Sequence, residues 1–137
     1  MARSQGRGRP KSIIVSSPEE FNYYVATGGS DSNPGTEASP FATIQKAHDA
    51  VSAGQTILVE NGTYTLPAGT TYSGLKTFAY LSKSGTSGNP ITIRARTRHG
   101  AILEGNSNER DYGLNIVGNY WKLQGLRIRN VMLDGVI

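Results

Sequence analysis

Short apolar runs, separated by polar turn residues, follow one another along most of this 137-residue chain. In several of them apolar and polar residues alternate, as around Ile91 and Ile93 or Leu126 and Ile128. A period of two is typical of β-strands that bury one face. The pattern therefore predicts a succession of short strands, at residues 22–26, 56–59, 78–81, 91–93, 101–103, 114–117, 121–123 and 126–128.

One segment has helical periodicity instead. Ser39 is a suitable N-cap, Pro40 suits the first helical position, and Gly54 can end a helix in the left-handed conformation. The apolar residues between them share one helical face: Phe41, Ile44, Ala47 and Val51. The sequence thus predicts a short amphipathic helix that covers an apolar surface.

The spacing of the apolar runs indicates a repeat. Ile57 and Tyr80 are separated by the same interval as Ile93 and Ile116. A period of roughly 23 residues, built from short strands and turns, predicts a solenoid with about three strands per coil. Ile57 and Ile91 lie farther apart than one such period, so we expect an insertion within residues 67–74 to break the phase.

An antiparallel sandwich of short strands is the alternative architecture. Its strands would be joined by recognisable hairpin turns. The only Asn-Gly pair, Asn61-Gly62, does not lie between two well-matched alternating runs. The solenoid is therefore the favoured interpretation.

The positive charge of the chain is concentrated at its beginning. The formal net charge is +4, and the first eleven residues contain four basic residues: Arg3, Arg7, Arg9 and Lys11. The remainder is neutral, so the charge does not indicate a nucleic-acid-binding domain, although a basic tail could touch phosphates. We interpret residues 1–20 as a disordered tail or spurious extension and expect no nucleic-acid partner.

Other classes of structure are excluded by what the sequence lacks. It contains no cysteine, which excludes disulfides and thiolate metal sites. No continuous apolar run is long enough to span a membrane. The basic beginning is not followed by an apolar stretch, so it is not a signal peptide.

Four segments together resemble a known family. Residues 23–47 contain a strand, the loop Gly-Ser-Asp-Ser-Asn-Pro-Gly-Thr at 29–36 and the predicted helix. Residues 53–64, 84–93 and 119–126 follow in the same order as in that family. The whole resembles the right-handed β-helix proteins of the pectate lyase-like superfamily, and is most similar to calcium-dependent pectate lyases with a lysine base.

This resemblance implies an all-β fold, a right-handed parallel β-helix with an N-terminal capping α-helix, truncated after about three coils. The cap and first coils would occupy residues 21–137. It also implies an extracellular enzyme that cleaves pectate or a similar acidic polysaccharide by calcium-assisted β-elimination. The catalytic base would lie beyond residue 137, so we expect the chain alone to be inactive. The alternative is a non-catalytic β-helix, such as an adhesin, spike or carbohydrate-binding module.

The resemblance further implies a metal ligand. Asp134 occupies about the place of the first calcium-binding aspartate of the family. Carboxylate oxygens are the ligands that calcium prefers. The alternative is that Asp134 is an ordinary turn residue before Gly135.

Arginines supply the candidate substrate-binding residues. Arg127 and Arg129 alternate with apolar residues, so both should point outward, where they could pair with uronate carboxylates. Arg94, Arg96 and Arg98 have the same spacing. The alternative for both groups is a solvated surface.

Three further features are predicted to be structural. His48 should be a packed or rim histidine of the helix, and residues 30–33 a structural turn rather than a calcium loop. The strand predicted to begin near Val136 and Ile137 has no cap after it. We therefore expect self-association through an open C-terminal end.

Overall fold

A computed structural model describes residues 21–67, 70–106 and 112–131. It contains one helix and nine short strands in the following order: β1 (Tyr23–Val25), α1 (Ile44–Ala50), β2 (Thr56–Val59), β3 (Gly62–Thr65), β4 (Thr77–Leu81), β5 (Ile91–Ala95), β6 (Ala101–Glu104), β7 (Tyr112–Ile116), β8 (Trp121–Gln124) and β9 (Arg127–Arg129). The predicted strands are confirmed, and β3 is an additional strand that the pattern did not single out.

The strands form three parallel sheets that run along a solenoid. Their orders are β1-β2-β5-β8, β3-β6-β9 and β4-β7. Each complete coil contributes one strand to each sheet, so β2-β3-β4 form one coil, β5-β6-β7 the next, and β8-β9 begin a third. The predicted parallel β-helix is confirmed, and the antiparallel sandwich is wrong because every pair of named strands is parallel.

The coil length predicted from the apolar runs is wrong. Ile57 pairs with Ile93, and not with Tyr80, which lies in a different sheet. In the next coil Ile91 pairs with Trp121, across a shorter stretch of chain than the one between Ile57 and Ile93. Turns between strands differ in length from coil to coil, so the spacing of apolar runs did not reveal which runs stack.

The interior of the solenoid is filled by ladders of apolar side chains at paired positions. One ladder contains Tyr23, Ile57, Ile93 and Leu123, in which both isoleucines are fully buried. Each fully buried isoleucine contributes about 1.5–3 kcal/mol relative to an exposed one. The core is therefore continuous from the first coil to the third.

The helix is shorter than predicted and begins later. Its N-cap is Thr43, whose side chain accepts a hydrogen bond from the Lys46 amide, so Ser39 and Pro40 precede the helix. Phe41 is extended because its backbone forms a parallel bridge with Val25. The Asp31 carboxylate holds this segment by accepting hydrogen bonds from the backbone amides of residues 42 and 43. The prediction that residues 30–33 form a structural turn agrees with this arrangement.

The other end of the helix also differs from the prediction. The C-cap is Val51, and Gly54, with a φ of 83°, lies in the turn beyond it. The buried residues Ile44 and Ala47 belong to the same cluster as the strand core. The helix therefore caps the solenoid as predicted, with a single buried stripe.

The helix also satisfies backbone groups at the edge of β4. The Gln45 side chain accepts a hydrogen bond from the Tyr80 amide at 2.7 Å and donates to the Tyr80 carbonyl at 3.4 Å. His48 Nε2 accepts from the amides of Ser82 and Lys83 at 3.1 and 3.2 Å. Unpaired groups at a strand edge would otherwise invite association with another chain.

Several predictions fall on other parts of the chain. Residues 1–20, Asp134, Val136 and Ile137 lie outside the described residues. The tail, the calcium ligand and self-association through the end of the chain therefore stay predictions. Within the described ranges, no helix is long and apolar enough to cross a membrane.

Candidate functional site: an arginine-lined cleft

The turns that follow β2, β5 and β8 stack into one corner of the solenoid. Backbone hydrogen bonds join them, from the Gly62 amide to the Gly100 carbonyl at 2.9 Å and from the His99 amide to the Gly125 carbonyl at 2.7 Å. His99 has a φ of 63°, so the turn after β5 bends sharply at this residue. Side chains from successive coils are consequently brought side by side.

A cleft of about 490 Å³ lies at this corner. Arg94, Arg96 and Arg98 line it from the end of β5 and the following turn, and Gln124 and Gly125 line it from the next coil. No acidic residue is among these lining residues, so the cleft is suited to anions. We call this feature the arginine cleft.

Arg96 is fixed in place by two carboxylates. It makes a bidentate ion pair with Glu60, in which the Nη2–Oε2 distance is 2.9 Å, and a further contact of 2.8 Å with Glu37. Hydrogen bonding to Glu60 raises the pKa of Arg96 further above its usual range. The guanidinium therefore stays charged and oriented, but part of its charge is already neutralised.

The two neighbouring arginines, Arg94 and Arg98, have different surroundings. The Arg94 guanidinium carbon lies 5.6 Å from the centre of the Phe21 ring, a cation–π contact on the outer face of the sheet. Arg98 is exposed and makes no hydrogen bond or ion pair with another described residue. Arg98 is thus the cleft residue best able to bind an incoming anion.

Glu60 and Glu37 were not recognised as site residues from the sequence. The separation between Glu60 and Arg96 equals that between the paired Ile57 and Ile93. The correct coil length would have placed Glu60 beside Arg96. Glu37 comes from the loop before the helix, and its contact has no comparable signal in the sequence.

The structure does not bring the predicted residues Arg127 and Arg129 into this cleft. Both are exposed on β9, as the alternation predicted. Arg129 is hydrogen-bonded to Glu104, and the same carboxylate accepts from the Asn130 side chain. These bonds lower the pKa of Glu104 below its ordinary value. A substrate would have to compete with Glu104 for Arg129. Arg127 differs, because its partner in the pairing of β9 with β6 is the apolar residue Ile102.

A metal ion needs several ligands from neighbouring side chains. No group of three or more His, Cys, Asp or Glu side chains able to hold a metal is present in residues 21–67, 70–106 and 112–131. His48, which belongs to the helix, is buried as predicted. Its ring stacks on the Trp121 ring, with 6.0 Å between the two ring centres. These residues by themselves do not fit a calcium site.

Comparison with known proteins extends the description. Residues 23–137 match the family model described as "Pel9A-like, right handed beta helix region". Pectate lyase L of Dickeya chrysanthemi is 30% identical over 118 residues, which cover 82% of this chain and 27% of that protein. Pectate lyase PEL9 of Emericella nidulans is 35% identical over 82 residues, covering 60% of this chain and 18% of that protein. The chain therefore spans about a quarter or less of the length of these relatives.

Solved structures show the same likeness. A rhamnogalacturonan lyase superposes with a TM-score of 0.66 and 34% identity, covering 80% of this chain and 28% of that structure. The crystal structure of pectate lyase Pel9A superposes with a TM-score of 0.60 and 30% identity, covering 78% and 28%. Since the family model matches most of the chain and the folds agree, this chain belongs to the Pel9A-like right-handed β-helix family.

Proposed function

We propose that the whole protein is a polysaccharide lyase acting on pectate or a similar uronate polymer, and that the arginine cleft binds carboxylates of that polymer. The observation that carries the proposal is the exposed guanidinium group of Arg98, which lines the cleft beside Arg94 and Arg96 and makes no hydrogen bond or ion pair with another described residue. Guanidinium groups bind carboxylates through paired, charge-assisted hydrogen bonds. The names of the related lyases support the same class of substrate.

The cleft residues would have distinct parts in binding. Arg98, which has no partner among the described residues, would pair directly with a sugar carboxylate. Arg96, held by Glu60, would supply a fixed positive charge. The exposed Gln124 could hydrogen-bond sugar hydroxyl groups from the next coil. Arg127 and Arg129 would extend the basic surface along the third coil.

The proposed reaction is β-elimination, in which a base removes the C5 proton next to the carboxylate, the glycosidic C4–O bond breaks as a C4=C5 double bond forms, and the leaving oxygen takes up a proton. A bound calcium ion would neutralise the carboxylate and acidify that proton. We propose Asp134 as one calcium ligand on the strength of the resemblance. The described residues do not by themselves assemble a calcium site. An extracellular location is part of the same proposal, since polymers of this kind are met outside the cell.

Binding can be tested separately from catalysis. We expect this chain to bind polygalacturonate in affinity electrophoresis. We expect Arg98→Gln to weaken binding by about tenfold, which is the lower end of what a hydrogen bond to a charged group contributes. The matched control is Lys46→Gln, which removes an exposed positive charge on the helix. Equal losses in the two variants would show that only net charge matters and would contradict the cleft.

Catalysis requires the whole protein. We expect it to release unsaturated products from polygalacturonate, detected by ultraviolet absorbance, and expect a chelator to abolish the activity. Binding without product, under conditions in which a pectate lyase is active, would favour the non-catalytic carbohydrate-binding alternative.

A further inference from the structure

A second cavity lies on the β3 side of the solenoid, next to the residues that begin the helix. It encloses about 180 Å³. Its buried lining residues are Ile44, Phe78, Leu103 and Tyr64, and the Tyr64 hydroxyl already donates to the Glu60 carbonyl, so the surface they offer a ligand is mainly apolar. None of its lining residues is charged, in contrast to the arginine cleft. The two cavities therefore differ in the chemistry they can accept.

The exposed part of the cavity carries hydroxyl groups. Thr27, Thr63 and Thr65 line it and are exposed, and none of their hydroxyls hydrogen-bonds to another described residue. Thr43 differs, because its hydroxyl donates to Asp31 and accepts from the Lys46 amide. Three hydroxyl groups thus remain available to a ligand, each as donor and acceptor.

Tyr72 also lines the cavity. Its backbone bonds to Leu75 in both directions, across a tight turn in which Ser73 and Gly74 have φ values of 52° and 78°. Burial raises the pKa of the Tyr72 phenol, and the nearby Asp31 carboxylate raises it further. The phenol consequently keeps its proton at neutral and moderately alkaline pH. The ring adds apolar surface, and its hydroxyl, hydrogen-bonded to the Thr43 side chain, adds a polar group.

We propose that this cavity, the threonine pocket, binds a single uncharged sugar ring. A pyranose ring has apolar C–H faces and a periphery of hydroxyl groups, which match an apolar floor and a hydroxyl-bearing rim. A uronate would lose the hydration of its carboxylate there without gaining an opposite charge, which is costly. The volume is below the roughly 300–1,000 Å³ typical of small-molecule sites, which limits the ligand to about one ring.

The threonine pocket does not depend on the arginine cleft or on lyase activity. Its residues belong to the turn after β1, the start of the helix, β3, β4, β6 and the turn at Tyr72, whereas the cleft is lined from β5, its following turn and β8. A neutral ring in the pocket and a carboxylate in the cleft would be separate binding events. Each can therefore fail without the other.

The test uses two probes that differ only at C6, methyl α-D-galactopyranoside and its uronate counterpart, methyl α-D-galactopyranosiduronate. Each is titrated into the isotope-labelled chain, and backbone amide and methyl resonances are followed by NMR. We expect the neutral glycoside to shift the resonances of Thr63, Thr65 and Tyr72 in a saturable manner. We expect the uronate to shift them at least fivefold more weakly.

Two variants complete the test. Thr63→Val with Thr65→Val removes two hydroxyls but preserves shape and strand propensity, and should weaken the binding of the neutral glycoside by about fivefold or more. Thr92→Val, on β5 and outside both cavities, should leave its affinity unchanged. Unchanged spectra elsewhere show that the variants are folded. The proposal is overturned if the glycoside produces no saturable shift, if both probes shift these residues equally, or if both variants bind alike.

Discussion

The link between the helix and the end of β4 depends on one imidazole. His48 is 4% exposed, and its Nε2 atom accepts hydrogen bonds from the Ser82 and Lys83 amides. An atom that accepts twice carries no proton, so the proton lies on Nδ1, which is 2.9 Å from the Asp49 carboxylate. We predict that His48→Phe destabilises the protein, because phenylalanine keeps a ring against Trp121 but removes the acceptor.

The expected loss of stability in His48→Phe follows from the two backbone amides that lose their acceptor. Leaving a buried donor unsatisfied costs about 1–3 kcal/mol. Ser82 is exposed and Lys83 half-buried, so water recovers part of this cost and the lower end of the range applies to each. We expect a loss of about 2 kcal/mol in the free energy of unfolding, or roughly 8 °C in Tm for a domain of this size.

Urea denaturation measures the loss, and hydrogen exchange locates it. The Ser82 and Lys83 amides should exchange faster in His48→Phe, whereas the amide of the fully buried Ala79 should follow only the global change. His48→Ala serves as the comparison, because it also removes the stacking on Trp121 and should cost more. A His48→Phe protein within about 0.5 kcal/mol of the wild type, with unchanged exchange at both amides, would refute the reasoning.

Three further predictions concern charge and the two ends of the chain. The hydrogen bond from Arg129 lowers the pKa of Glu104 below its ordinary value of 4.5. The ionised carboxylate therefore stabilises the fold fully at pH values above 4.5, and this contribution is lost as the pH falls through the lowered pKa. Glu104→Gln should therefore be less stable than the wild type in neutral urea denaturation, with the difference shrinking in acid; a difference that grows in acid would contradict this. Deletion of residues 1–20 should shift Tm by less than about 5 °C in a thermal melt, since their sequence shows no pattern able to bury surface; a larger drop would show that the segment packs on the domain. Val136→Lys with Ile137→Lys should reduce self-association in light scattering, and unchanged scattering would refute association through that end.

Much of the local structure follows from the sequence alone. The alternation around Ile91 and Ile93 determines a strand, because side chains of an extended chain point to opposite faces. The outward direction of Arg127 and Arg129 follows from the same period. His48 was recognisable as a packed residue from its place beside the apolar stripe.

The tertiary structure decided which segments meet. Strand periodicity has no information on the length of the turns, so the pairing of Ile57 with Ile93 was not predicted from the spacing of apolar runs. The helix lost its first predicted turn because Phe41 pairs with Val25, and backbone pairing with a distant strand outweighs local capping preference.

The arginine cleft depends on the same long-range information. Arg94, Arg96 and Arg98 show the spacing of an outward face, but only the stacking of the turns places Gln124 beside them and Glu60 behind Arg96. The sequence by itself therefore determined the strands and their faces, because these depend on neighbours close along the chain, and the kind of fold followed from the resemblance of four segments to a known family. The coil length, the extent of the helix and the partners of each charge were decided by contacts between residues far apart in sequence, which a local pattern does not contain.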